Sequence, residues 1–69
     1  MITFDPLWRT IEARNLNKGD LKKMTGLSSA TIAKLSKSDA AVMLDVVDRI
    51  CEALQVPIYD VVESVHDLV

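Results

Sequence analysis

Cysteine and histidine occur once each in these 69 residues, glycine and proline twice each, and tryptophan, tyrosine and phenylalanine once each. A single cysteine closes no disulfide within the chain, and without a Cys/His cluster there is no zinc staple. Cysteine usage of this kind fits a reducing, cytoplasmic compartment. The longest apolar run, Ala40 to Leu44, has five residues, against the roughly 18 of a membrane span, so no membrane partner is expected. The first residues, Met1 to Asp5, show neither the basic start nor the apolar segment of a secretory signal. Catalytic sets are equally scarce. Cys51 has no nearby histidine and His66 stands alone near the end of the chain, while Asp45, Asp48 and Glu52 read as a solvated helix face. No enzyme, metal or cofactor is expected.

What remains is a short chain that is 49% hydrophobic and 26% charged. Chains below roughly 100 residues rarely divide, so one domain over residues 1–69 is predicted. A core of this size stabilises by only about 3–5 kcal/mol, so helical packing or association of copies must help. The net charge of −2 argues by itself against a nucleic-acid partner, but it averages two unlike halves. Residues 1–38 hold seven basic residues (Arg9, Arg14, Lys18, Lys22, Lys23, Lys34, Lys37) against three acids, a net of +4. Residues 39–69 hold Arg49 against seven acids, a net of −6. The split suggests one face for a polyanion and another for solvent or a partner protein. Lysines scattered merely for solubility are the plainer alternative.

Apolar spacing predicts five helices and an all-α fold. Asp5 is expected to cap the first, with Pro6 at its first position and Leu7, Ile11 and the stem of Arg14 along its inner side. Trp8, beside them, reads as a packing residue. Asn17 caps the second helix, Asp20 reaches back as in a capping box, Leu21 and Met24 face inward, and Gly26 stops it in the left-handed conformation. Leu27 points inward and Ser28 caps a third helix carrying Ile32 and Leu35. A turn over 37–41 leads to a fourth helix starting near Leu44 or Asp45, burying Leu44, Val47, Ile50, Cys51 and Leu54 and ending before Val56-Pro57. Pro57 is expected to open a fifth, with Asp60 in its first turn. Val61, Val62 and Val65 are β-branched and leave the C-terminal segment ambiguous. Ile58, Val61, Val62, Val65, Leu68 and Val69 form an apolar stripe, so residues of about 57–69 are candidates for pairing two copies.

Two short capped helices meeting at Gly26-Leu27-Ser28 have the form of a helix-turn-helix over about residues 17–37. Such a unit needs a sharp turn, apolar side chains locking both helices on the core, and short outward residues at the start of the second helix. The run Asp20 to Leu35 resembles the Cro/CI-type (XRE-like) helix-turn-helix of phage and bacterial regulators. Leu7-Trp8, Leu21 to Ser28, Val47 to Leu54 and Asp60-Val61-Val62-Glu63 further resemble its small single-domain members. The resemblance spans Phe4 to about Val65 and implies a compact five-helix domain whose third helix reads double-stranded DNA in the major groove. On that resemblance Ser29, Ala30, Thr31 and Lys34 face base edges, whereas Asn17, Lys18, Ser28, Lys37 and Ser38 meet phosphates. Lys22 and Lys23 add longer-range attraction. Two positions depart from the family: Lys22 stands where a small residue is usual, and the turn after Lys37 reads Ser38-Asp39-Ala40-Ala41, with an acid where phosphate would lie. The implied function is a sequence-specific transcriptional regulator, and the apolar C-terminal stripe together with weak readout by one copy points to a homodimer. The alternative is an antirepressor-like modulator that binds another regulator through its acidic half.

Overall fold

The computed structural model describes residues 1–37 and 42–66. It is mostly helical: β1 (Ile2–Thr3), α1 (Asp5–Ala13), α2 (Lys18–Thr25), α3 (Ser29–Ser36), α4 (Leu44–Leu54), a 3₁₀ turn (Ile58–Asp60) and β2 (Glu63–Ser64). Of the turn expected over 37–41, residues 38–41 lie outside the described residues, as does the end of the stripe at Leu68 and Val69. Among the described residues there are four α-helices, and the predicted fifth is replaced by the 3₁₀ turn and β2. The two strands pair antiparallel, with Ile2 opposite Ser64 and Thr3 opposite Glu63. The physical reason lies in Val62 and Val65, which flank β2 and whose branched side chains favour extended backbone, and in an N-terminal strand ready to pair with that segment.

The start of α1 also differs from expectation. Phe4, not Asp5, occupies the cap position, and no side chain caps there. Phe4 is buried in the core, and the strand before it carries the chain in extended. Thr3 Oγ1 accepts the Asp5 N–H at 3.2 Å, and the Leu7 N–H donates to the carbonyls of Phe4 (3.0 Å) and Val61 (3.2 Å). Val61, far along the chain, therefore satisfies a donor at the start of its first helix. Thr10 Oγ1 donates to the Asp60 carbonyl at 2.8 Å, and the Arg14 guanidinium donates to the carbonyl of Leu54. A cation at the end of α4 complements the negative end of that helix.

The core joins Phe4, Leu7 and Ile11 to Leu21, Leu27, Ile32 and Leu35 of the middle segment and to Val47, Ile50, Leu54 and Val61. Two expected inward residues face outward. Leu44 is 79% exposed and Met24 45% exposed. Leu44 is the first residue of α4, one turn before Val47, and so precedes the stripe on the core. The inner position of α2 next to Leu21 belongs to Thr25, whose buried Oγ1 donates to the Leu21 carbonyl (2.7 Å) and accepts the Leu27 N–H (3.3 Å). A buried hydroxyl bonded twice carries no desolvation penalty left unmet. Helix α4 ends at Gln55, which takes the left-handed conformation (φ 57°) that α2 obtains from Gly26 (φ 70°).

These placements give two stability predictions, both read by urea unfolding. Val61→Ala, at a side chain fully excluded from solvent, should cost about 1–3 kcal/mol, whereas Leu44→Ala should stay within about 0.5 kcal/mol of the parent. A Cβ added at Gly26 meets no atom within 4 Å, so Gly26→Ala pays only for the left-handed backbone, about 1–2 kcal/mol.

Candidate nucleic-acid interface

The Asn17 side chain accepts the Asp20 N–H at 2.9 Å, and the Asp20 carboxylate accepts the Asn17 N–H at 3.0 Å. The expected capping box is complete in both directions. At the start of α3, Ser28 Oγ accepts the Thr31 N–H at 3.2 Å and lies 3.0 Å from Thr31 Oγ1. The side-chain oxygens of Asn17 and Ser28 are therefore occupied in holding helix ends. What they offer a phosphate is the Asn17 amide N–H₂ and the free backbone N–H groups of the first turns.

Successive residues of α3 turn by about 100°, so Ile32 and Leu35, both buried, define the inner side. The opposite arc holds Ser29, Ala30, Ala33, Lys34 and Lys37, all exposed. Three of the four residues expected to face bases lie on this arc. Thr31 does not: it is half-buried on the flank, its hydroxyl beside Ser28. Ala33 was missed by sequence reasoning, although its spacing of three from Ala30 and four from Ser29 was signal enough. Ser38 lies outside the described residues. Eight residues make α3 about 12 Å long, comparable with the width of the DNA major groove.

Two lysines are held in ways that sequence spacing did not reveal. Lys22 Nζ donates to Ser29 Oγ at 2.8 Å, spanning the turn between α2 and α3 on its outer side. The departure from a small residue is thereby accommodated, because the long stem carries the ammonium outward. Lys18 Nζ sits 5.5 Å from the centroid of the Trp8 ring, and Trp8 Nε1 donates to the Leu35 carbonyl at 3.3 Å. Trp8 is thus a packing residue, as expected, and also a bridge from α1 to both helices of the pair.

Beside α3, Thr31, Lys34, Val42, Met43 and Val46 line a groove of about 170 Å³. The start of α4 therefore abuts the lysine side of α3, and the acidic half of the chain is not remote from the basic one. A second, open cleft of about 360 Å³ lies between α1 and the 3₁₀ turn, lined among others by Arg9, Arg14, Tyr59 and Asp60. Cys51 is half-buried. Burial first, and then the Asp48 carboxylate, push its thiol above the ordinary value, which keeps it protonated and unreactive. Among the described residues no three His, Cys, Asp or Glu side chains gather to hold a metal ion, and no helix is long and apolar enough to cross a membrane.

No curated protein matches this chain. Among solved structures it is similar to the crystal structure of transcriptional regulator VanUg, Form II, with a TM-score of 0.87 and 33% sequence identity. That match covers 96% of this chain and 87% of the other. Residues 6–67 match the family of the Cro/C1-type HTH DNA-binding domain. A four-helix core with the second and third helices joined at a left-handed glycine, matched over that length, places the chain in this family: it belongs to the Cro/C1-type helix-turn-helix DNA-binding domains.

Proposed function

We propose that the chain is a sequence-specific DNA-binding transcriptional regulator that seats α3 in the major groove. One observation carries this reading: the outer arc of α3 is short at its centre, with Ala30 and Ala33, and cationic toward its end, with Lys34 and Lys37. Short side chains let the helix backbone approach base edges, and lysine reaches guanine or a phosphate. Ser29, Ala30, Ala33 and Lys34 are assigned to bases, with Thr31 at the edge of the contact. Lys18, Lys37, Ser38 and the capped starts of α2 and α3 at Asn17 and Ser28 are assigned to phosphates. Membership of a DNA-binding family and likeness to a transcriptional regulator support the same reading.

No arginine, asparagine or glutamine stands on α3, so the strongest bidentate base pairings are missing and each copy reads weakly. A homodimer offsets this by presenting two copies of α3 to half-sites about 34 Å apart. In the segment expected to pair copies, Val61 is consumed by the core, while Ile58, Tyr59 and Val65 remain exposed. A second reading, contact with another regulator protein, is favoured by Met43 and Leu44, both exposed beside the acids Asp45 and Asp48 of α4.

Titration against random and selected DNA at two salt concentrations tests the proposal. The affinity should fall with salt at a log–log slope of about −0.9 for each phosphate contact. Lys34→Ala should change which sequences are selected. Lys37→Ala should weaken all sites alike and reduce the slope by about 0.9. A selection that enriches no sequence at low salt would overturn this function and leave the protein-binding reading.

A further inference from the structure

We propose that Trp8 is a positioning residue of the DNA interface: its indole holds the Lys18 ammonium at the start of α2 in place for a backbone phosphate. The proposal rests on the reading of the chain as a DNA-binding protein. Lysine has a long, rotamer-rich stem, and an exposed one spreads its charge over many positions. Lys18 is exposed, yet its Nζ lies 5.5 Å from the centroid of the Trp8 ring, within the range where the negative face of an indole attracts a cation. The ring is itself held. Trp8 is half-buried, packs on the core, and donates Nε1–H to the Leu35 carbonyl.

The kind of partner matters. Among the described residues Lys18 makes no ion pair; Arg9 with Glu63, at 3.8 Å, is the pair present there. A carboxylate would fix the ammonium and cancel its charge. An aromatic face fixes it and leaves both the charge and the N–H donors for a phosphate oxygen on the other side. The same indole reaches α3 two residues before Lys37, so one side chain sets the first cation of the helix pair relative to the end of the reading helix.

The test uses the intact protein, with Trp8→Leu, Trp8→Phe, Lys18→Met and the Trp8→Leu/Lys18→Met double variant titrated against a selected DNA over a salt series. Lys18→Met should lower the salt slope by about 0.9. Trp8→Leu should weaken binding by most of the same factor, about two- to fivefold for a cation–aromatic contact of ordinary strength. The double variant should bind no worse than Lys18→Met, and the selected sequence should not change in any of them. Trp8→Phe keeps a ring face and should recover most of the loss, which a purely structural role of the indole would not produce. Trp8 is also the chain's one tryptophan, so Lys18→Met should shift its emission in the protein without DNA. If the parent binds DNA and the two single losses add in full, or Lys18→Met leaves the slope unchanged, positioning is overturned and DNA binding stands. If the parent shows no salt-dependent binding to DNA, both are overturned.

Discussion

At Gly26 the backbone turns through a left-handed conformation, and the direction of α3 is set there. Three contacts hold the turn. On the inside, Leu27 is buried and its N–H is bonded to Thr25 Oγ1, which in turn bonds back to the Leu21 carbonyl. On the outside, Lys22 reaches Ser29. Immediately after it, Ser28 closes the first turn of α3. With Ile32 and Leu35 then locked in the core, the opposite arc can only be Ser29, Ala30, Ala33, Lys34 and Lys37. An L side chain at position 26 strains the turn without striking anything, so the constraint is one of backbone geometry and not of space.

That turn is useful only if the rest of the molecule is rigid, and a chain this short has little to spare. Each fully buried Leu, Ile or Val contributes about 1.5–3 kcal/mol, set against an ordering entropy of similar total size. Met1 and Val65 also close on each other. The amino group of Met1 donates to the Val65 carbonyl at 2.8 Å, and the Val65 N–H returns to the Met1 carbonyl at 2.7 Å. Val61 fills the core and its carbonyl satisfies the start of α1, while Arg14 grips the end of α4 and Thr10 the 3₁₀ turn after it. A fifth helix would offer an apolar stripe. The 3₁₀ turn and strand instead deliver one valine to the core and extended backbone to β1.

The parts legible in the sequence were those with local causes. The box of Asn17 and Asp20, the stop at Gly26 and the cap at Ser28 each depend on residues within three or four positions, and each was found where the residue types placed it. The failures have distant causes. Phe4 displaced Asp5 from the cap because a strand 60 residues away draws the N-terminus into a sheet. Thr25 took the place assigned to Met24 because its hydroxyl completes the turn to Leu27. Gln55 ends α4 in a conformation that no glycine announced. At the candidate site, Ser29, Ala30 and Lys34 were named on the resemblance to the family, and all three lie on the exposed arc of α3. The positions of the Lys18 and Lys22 ammonium groups depend on partners from α1 and α3, and no spacing along α2 specifies those.

The charge division also takes on a different meaning in three dimensions. The charge split along the sequence suggests a separate face for the acids of α4, yet the start of that helix borders the groove beside Lys34. Asp45 lies in the first turn of α4, where it favours its own helix dipole. Charges separated by more than about 8 Å are largely screened at physiological ionic strength. A phosphate near Lys18 or Lys37 therefore responds to the lysines at short range, while one displaced toward α4 meets carboxylates. A net charge of −2 is then compatible with a polyanionic partner. Under the proposed function, attraction from α2 and α3 and repulsion from α4 restrict the orientations in which DNA can approach, and such restriction favours one docking direction more than it favours tight binding overall.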